Sequence, residues 1–263
     1  MLVDAHIHLD RYEAELDAAL QEIVDNRIFS ISNSMDVPSY SRNLEVGERC
    51  PLVLPTFGIH PWNASQYADG LDGLDWAMKQ SPIYGEIGLD YHFIEDTSQY
   101  PAERAVLEFF LRAAREQNKI VNLHTKGAEE DVLRLLERYD IQRAIVHWYS
   151  GPLDIFRKLA SRGAYFTFGP ELQDSEHIQA LAMECPIGRL LTETDNAGQR
   201  LPDGLVRMPL LVRDVVTALA GVRGITVESM IETVESNLLR LIRGDPWLSD
   251  TYVKVFAEQD NSE

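Results

Sequence analysis

The sequence has only two cysteines, Cys50 and Cys185, and their spacing matches neither a zinc-binding nor a redox motif. Both are expected to be reduced structural thiols. The chain has no run of 18 consecutive apolar residues, so no membrane-spanning helix is predicted. It also lacks the basic segment and apolar run of a signal peptide. A cytoplasmic protein that does not bind membranes is therefore expected.

Basic residues are scarce as well. Lysine and arginine together number 24 against 42 acidic residues, which gives a formal net charge of −18. A tight binder of duplex DNA needs a cationic surface, so this balance argues against that class of protein. It does not exclude an enzyme in which bound cations supply positive charge locally.

Strand-like and helical segments alternate along the whole chain. Eight such units in about 245 residues favour a closed (β/α)8 TIM barrel over an open sheet. No G-x-G-x-x-G follows a strand, so the dinucleotide-binding alternative lacks its main signal. A single domain over 1–263 is predicted, with 244–263 as a polar tail that frays. The predicted strands are 2–9, 28–33, 52–59, 83–90, 120–124, 144–147, 164–168 and 190–195.

Histidines and acids cluster at the ends of these strands. His6 and His8 point to one face of the first strand, because side chains at i and i+2 share a face. Neutral imidazole is a good ligand for zinc and related ions. A single histidine is more often a hydrogen-bonded core residue, but the C-terminal strand ends of a barrel converge on one site, and a shared metal centre is predicted there. Further strand ends carry His60, Glu86, His124, His147 and Asp195.

The strand order favours two metal ions rather than one. His6, His8 and Asp195 come from the first and eighth strands, which are neighbours in a closed barrel. His124 and His147 come from the fifth and sixth strands, and Glu86 on the fourth could bridge both ions. Two such ions can bind a substrate oxygen and activate water, and Asp195 could also take a proton from that water. The ligand types accommodate zinc, manganese, nickel or iron, whereas the histidines do not help magnesium.

At this point a family resemblance is clear, and it covers nearly the whole chain. The sequence resembles the TatD family of metal-dependent deoxyribonucleases, within the amidohydrolase-like barrels. The resemblance implies His6, His8, Glu86, His124, His147 and Asp195 as ligands of a divalent pair. It also implies DNA ends or single-stranded DNA as substrate. The matching motifs are DAHIHLD (4–10), GIHPW (58–62), YGEIGLDYH (84–92), VNLHTKGA (121–128), VHWYSG (146–151) and LLTETD (190–195), with Asn237 near the end.

Three positions depart from the family pattern. Lys126 stands where the family commonly has arginine, so a point charge replaces a bidentate phosphate contact. Glu103 stands where glutamine is usual. The common proline after Asp195 is missing, 196–200 follows instead, and a later R-N-x-P element is reduced to 207–209. These loops shape the mouth of the barrel, so the substrate stays open.

Several other residues have two interpretations each. The resemblance implies that His60 contacts a substrate phosphate or water, although it could only hydrogen-bond a loop. Lys126 could bind phosphate or be a solvated residue at a helix start. Glu193 could support a ligating histidine or be structural. Aromatic residues could stack on bases or pack at the rim, and two further histidines are assigned no function. The aromatic residues are Trp62, Trp148 and Tyr149, and the histidines are His92 and His177.

The predicted function is hydrolysis of phosphodiester bonds by a metal-activated water, with DNA cleaved from an end. Hydrolysis of a small amide, lactone or phosphoester at the same metal centre is the alternative, and the low number of basic residues keeps this alternative open. A metal-stabilised barrel with only a binding role is the third hypothesis. A monomer is expected, with an oligomer left open.

Overall fold

A computed structural model describes residues 1–197, 206–243, 245–248, 250–251 and 255. Eight parallel strands follow one another with helices between them, in the order of the predicted (β/α)8 barrel. The strands are β1 (Leu2–Ile7), β2 (Ile28–Asn33), β3 (Val53–Thr56), β4 (Ile83–Gly88), β5 (Ile120–His124), β6 (Ala144–Val146), β7 (Tyr165–Phe168) and β8 (Leu190–Thr192). The helices are α1 (Leu16–Asp25), α2 (Val37–Arg49), α3 (Ala64–Tyr67), α4 (Asp75–Gln80), α5 (Tyr100–Gln117), α6 (Glu129–Arg138), α7 (Leu153–Ser161), α8 (Glu176–Glu184), α9 (Leu211–Arg223) and α10 (Val227–Ile242).

The helices pack on the strands through one apolar face each. In α5, Val106, Phe110 and Ala114 are buried and recur every four residues, which is the spacing that places side chains on one side of a helix. The side chain of Asp36 accepts a hydrogen bond from the Ser39 N–H and starts α2. These outer helices cover the strands and leave the strand ends to form the site.

The strands form two regular ladders, β1 to β3 and β4 to β8. A bridge between Phe57 and Tyr84 joins the ladders at β3 and β4. At the other junction, Thr192 Oγ1 donates to the Val3 carbonyl at 2.6 Å and the Asp195 N–H to the His6 carbonyl at 3.0 Å. We call this junction the β8–β1 seam. Side-chain hydrogen bonds there replace some of the backbone hydrogen bonds of a regular ladder.

Asp4 is the central residue of the β8–β1 seam. Its buried carboxyl group accepts hydrogen bonds from the Thr194 N–H at 3.0 Å and from Thr194 Oγ1 at 2.6 Å. Burial raises the pKa of Asp4 to about 8, against the opposing effect of these hydrogen bonds. The seam therefore ties the strand that carries His6 and His8 to the segment that carries Asp195.

Some element ends differ from the prediction. β8 ends at Thr192, so the predicted strand end at 195 is wrong, because pairing with β7 stops at Phe168. Short 3-10 turns, Glu13–Glu15 and Leu71–Leu74, come directly before α1 and α4. Asn237 donates to the carbonyls of Ile187 and Leu190 at 2.8 and 2.9 Å, which holds the start of β8.

The predicted fraying tail lies largely outside the described residues. Its described positions include three buried residues, Asp245, Leu248 and Val255, and Asp245 pairs with Arg143. Cys50 and Cys185 are buried and unpaired thiols. No helix in the described ranges has the length and apolar character needed to cross a membrane.

Lys119, just before β5, is an unusual buried cation. Its side chain is only 2% exposed, and its ammonium donates to the Met78 carbonyl at 2.6 Å. The ammonium also lies 3.9 Å from the centre of the Trp247 ring and 4.8 Å from that of Tyr84. Burial lowers the pKa of Lys119 to about 8, although Asp245, itself paired with Arg143, acts in the opposite direction.

We expect stability to rise with pH because of Lys119. Its pKa is lower in the folded protein than the ordinary value of 10.5, so the penalty for burying the charge applies below pH 8. That penalty disappears as the pH rises towards 10.5. Lys119→Met should flatten the rise in unfolding free energy by roughly 1–2 kcal/mol. Urea denaturation at pH 7.5 and pH 9.5 measures it. Lys79→Met, which alters an exposed lysine, is the control. The same change in unfolding free energy between the two pH values in wild type, Lys119→Met and Lys79→Met would contradict the prediction.

Candidate metal centre

The structure brings all six predicted metal ligands together at the C-terminal ends of the strands. His6 and His8 lie at the end of β1, and Glu86 lies inside β4. Five of the six residues are no more than 3% exposed, and the side chain of Asp195 is 27% exposed. The remaining three extend from β5, from the residue after β6 and from the segment beyond β8, and are His124, His147 and Asp195.

One oxygen of Glu86 faces three imidazoles. Glu86 Oε1 lies 2.9 Å from His124 Nδ1 and 2.8 Å from His147 Nε2. His60, predicted as a substrate contact, lies here too, with its Nε2 at 3.3 Å from the same oxygen. We call this group site B. His60 thus lies beside the same carboxylate oxygen as His124 and His147.

The other oxygen of Glu86 faces the first strand. Glu86 Oε2 lies 3.4 Å from both His6 Nε2 and His8 Nε2. Asp195 Oδ1 lies 3.3 Å from His8 Nε2 and 3.7 Å from His6 Nε2. We call this group site A. Because its two oxygens face different groups, Glu86 has the position of a bridging ligand.

Both histidines of site A are oriented by their second ring nitrogen. His6 Nδ1 lies 3.2 Å from Asn122 Oδ1, and His8 Nδ1 lies 2.9 Å from the Asn33 carbonyl. An oxygen at each Nδ1 favours a proton there and leaves the Nε2 lone pair directed at the carboxylates. The sequence analysis missed Asn122, although it lies two residues before His124 and so shares its face of β5.

The histidines of site B have acidic partners on their far sides. His124 Nε2 lies 3.0 Å from Asp90 Oδ2, and His147 Nδ1 lies 3.4 Å from Glu193 Oε2. Glu193 is itself held by Thr167 Oγ1 at 2.7 Å. Glu193 thus lies beside His147, but the two form no hydrogen bond, since His147 Nδ1 has no hydrogen-bond partner among the described residues. The sequence analysis assigned no role to Asp90, which lies two residues beyond β4.

The donor set fits divalent cations. His6 Nε2 is buried and forms no hydrogen bond with any described residue, which is costly unless another partner is bound. The described part of the chain contains three sets of possible ligand residues. Within each set, the nitrogen and oxygen atoms lie within 4.8 Å of one another. The sets are His6, His8 and Asp195; His6, Glu86 and His147; and His60, Glu86 and His124.

The carboxylates of the centre are ionised at neutral pH. Burial alone would raise the pKa of Glu86, but the imidazoles of His60, His147 and His6 hold it well below its usual range. Burial is likewise outweighed at Asp195, whose pKa is lowered to about 2, chiefly by its hydrogen bond with His8. Two ionised carboxylates beside a group of imidazole nitrogens form an environment suited to cations.

The predicted phosphate contact Lys126 is occupied within the protein. Its ammonium donates to the Trp148 carbonyl at 2.5 Å and to Ser150 Oγ at 3.0 Å. It also lies 3.8 Å from the centre of the Trp148 ring. Burial lowers the pKa of Lys126 to about 8. A phosphate bound by Lys126 would have to compete with these two oxygen atoms.

The positions that depart from the family pattern do not all lie at the mouth of the barrel. Glu103 Oε2 accepts the Asp90 N–H at 2.8 Å, so Glu103 lies behind the centre. The Arg207 carbonyl accepts from the Tyr12 hydroxyl at 2.9 Å, which places the 207–209 element beside β1. Residues 198–200 of the preceding loop lie outside the described residues. His92 and His177, assigned no function, are exposed.

A (β/α)8 barrel with buried imidazoles and carboxylates at its C-terminal strand ends is typical of metal-dependent hydrolases. The family model described as TatD related DNase matches residues 3–243. The chain belongs to this family and is a metal-dependent hydrolase.

Similar proteins agree with this assignment. The chain is 29% identical over 259 residues to the Escherichia coli K12 protein called uncharacterized metal-dependent hydrolase YcfH, with 93% of this chain and 96% of the relative covered. It is 26% identical over 257 residues to human Deoxyribonuclease TATDN3, covering 91% and 94%. The crystal structure of the E. coli TatD homologue YJJV superposes with a TM-score of 0.82 at 22% identity, covering 91% and 97%, which confirms the predicted fold.

Proposed function

We propose that the protein hydrolyses phosphodiester bonds of DNA and removes nucleotides from a strand end. The position of Glu86 carries this proposal, because its two oxygens face two separate groups of imidazoles. Such a paired site suits a phosphodiester, in which two non-bridging oxygens on one phosphorus atom share a negative charge. The name of the human relative, a deoxyribonuclease, supports DNA as the substrate.

The proposed ligands of two divalent cations come from both sites. His6, His8 and Asp195 would hold one ion, His124 and His147 the other, and Glu86 would bridge them. When bound, such ions lower the pKa of water and neutralise charge on a phosphate. Imidazole and carboxylate ligands accommodate zinc, manganese, nickel or iron better than magnesium.

Asp195 is the proposed proton acceptor. Its side chain is 27% exposed, whereas that of Glu86 is 3% exposed, so Asp195 faces the side from which water and substrate arrive. Its low pKa keeps it ionised at neutral pH. An ionised carboxylate at the edge of the site can orient the attacking water and take its proton. His8 Nε2 lies 3.3 Å from this carboxylate.

Hydrolysis of a small phosphoester, amide or lactone is the alternative function. The net charge of −18 and the internal hydrogen bonds of Lys126 both favour it, since neither helps a long polyanion to bind. This alternative uses the same ligands and the same proton acceptor. It differs only in what occupies the mouth of the barrel.

The deciding experiment is hydrolysis of single-stranded DNA by metal-depleted protein. The DNA carries a label at either the 5′ or the 3′ end, and Mg²⁺, Mn²⁺ or Zn²⁺ is added back. A generic phosphodiester and a panel of small amides and lactones are assayed in parallel, with Asp195→Ala as the inactive control. Stepwise shortening that needs both metal and Asp195 would support the proposal. Turnover of a small substrate without shortening of DNA would move the function to the alternative.

A further inference from the structure

Two large aromatic side chains are exposed beside the metal centre. Trp62, in the loop after β3, is 49% exposed, and Phe93, in the loop after β4, is 50% exposed. Their ring centres lie 6.1 Å apart at an angle of 83°. The Trp62 ring centre also lies 4.8 Å from that of His60, a member of site B. The two rings thus form an exposed apolar surface that reaches the edge of the centre.

Asp90 holds both aromatic residues in place. The Trp62 indole N–H donates to Asp90 Oδ2 at 2.8 Å, and the Phe93 N–H donates to Asp90 Oδ1 at 2.7 Å. Asp90 Oδ2 also lies 3.0 Å from His124 Nε2. One carboxylate therefore fixes the aromatic surface relative to a proposed ligand. A surface anchored before the substrate arrives loses little entropy when it binds.

We propose that an unpaired base next to the scissile phosphodiester stacks on one of these two rings while the other ring contacts its edge, and we call the pair Trp62 and Phe93 the aromatic ledge. This inference rests on the proposed function, since it names the part of a DNA end that the site would recognise. Every base offers a flat face to an aromatic ring, so the contact tolerates any sequence. Inside a duplex both faces of a base are covered by its neighbours. The ledge would therefore select frayed ends and single strands.

The charge of the protein gives stacking a particular weight. Acidic residues exceed basic ones by 18, and the Lys126 ammonium is bound to Trp148 and Ser150. Affinity for single strands usually combines phosphate contacts with stacking. Where phosphate contacts are weak, stacking must contribute more of the affinity. It is also far less sensitive to salt than ionic contacts are.

The test compares DNA substrates that differ only in one base. Single-stranded oligonucleotides carry either normal ends or an abasic site at the terminal or the penultimate nucleotide. We expect the wild-type kcat/KM to fall about 5- to 100-fold for one abasic substrate, which is the usual size of a base–aromatic stack. The discrimination ratio is kcat/KM for the normal substrate divided by kcat/KM for the abasic substrate. Phe93→Leu and Trp62→Leu should lower this ratio, mainly through KM, and Phe93→Tyr should preserve it. Trp76→Leu, which alters an aromatic residue on α4 that is 47% exposed, is the matched control.

A binding measurement separates the ledge from catalysis. 2-Aminopurine at the end of the oligonucleotide is quenched when it stacks, and Asp195→Asn protein prevents turnover. Salt at about 0.3 M weakens phosphate contacts. Quenching that Phe93→Leu removes and Phe93→Tyr retains would support the ledge. If both leucine variants kept the wild-type discrimination between normal and abasic substrates and the wild-type quenching, the aromatic ledge would be refuted. Quenching that depends on Phe93 in a protein that cleaves no DNA would retain the ledge and refute the proposed function.

Discussion

Glu86→Gln is expected to abolish turnover and to lower the metal content of the protein. One amide cannot replace two carboxylate oxygens that face separate groups of imidazoles. Its NH₂ group would also direct hydrogen atoms at a nitrogen lone pair or at a cation. We expect kcat/KM to fall roughly a thousandfold or more, equivalent to about 4 kcal/mol of transition-state stabilisation. Metal analysis after equilibrium dialysis should show loss from both sites, since Glu86 contacts both.

The control for Glu86→Gln is a second acid at the same end of the barrel. Glu129, at the start of α6, is 9% exposed and accepts the Gly127 N–H at 3.2 Å. It contacts none of the proposed ligands in the described hydrogen bonds and ion pairs. Glu129→Gln should keep its metal and its activity. Full metal content and wild-type kcat/KM in Glu86→Gln would contradict the bridging role.

Asp195→Asn is expected to lower kcat by roughly a hundred- to ten-thousandfold, the range for loss of a general base. Asparagine keeps the shape of the side chain but cannot accept a proton. Site B does not include Asp195, so the ion proposed for site B should remain bound in Asp195→Asn. This retention distinguishes the variant from Glu86→Gln. Measuring kcat together with metal stoichiometry tests both parts. The exposed Asp174 provides the control Asp174→Asn, and an Asp195→Asn variant with wild-type kcat would refute the proposed proton acceptor.

The sequence predicted correctly which residues come together at the centre. It predicted less well where the strands that carry them end. The two-residue repeat of a strand places His6 beside His8, and the barrel rule brings β4, β5 and β6 to the same end. Asp195 reaches the site although β8 ends three residues earlier. Its N–H bonds to the His6 carbonyl, so the segment beyond the strand continues along β1. Topology thus compensated for a wrong strand end.

The outer contacts of the centre could be predicted only in part. Asn122 could have been found, because it is two residues before His124 on one face of β5. Asp90 could also have been found, because it ends the predicted strand 83–90 four residues beyond Glu86 and on the same predicted face. Phe93 could not, because it lies in a loop after β4 and its partner Trp62 lies in another loop after β3. No periodic pattern relates two irregular segments, and their approach depends on the path of each backbone. The hydrogen bonds of Lys126 with Trp148 and Ser150 also join two irregular segments, so the sequence pattern could not predict them.

The β8–β1 seam has a consequence for the order in which the protein matures. Asp4 and Thr194, which it joins, are 190 positions apart in the chain. During synthesis at about 5–20 residues per second, Asp195 would leave the ribosome roughly 10–40 s after His6 and His8. Through that interval the nascent chain carries the two histidines of site A without Asp195, one of their two carboxylate partners. Under the proposed ligand assignment, site A would therefore be complete only after β8 and the segment beyond it have been translated.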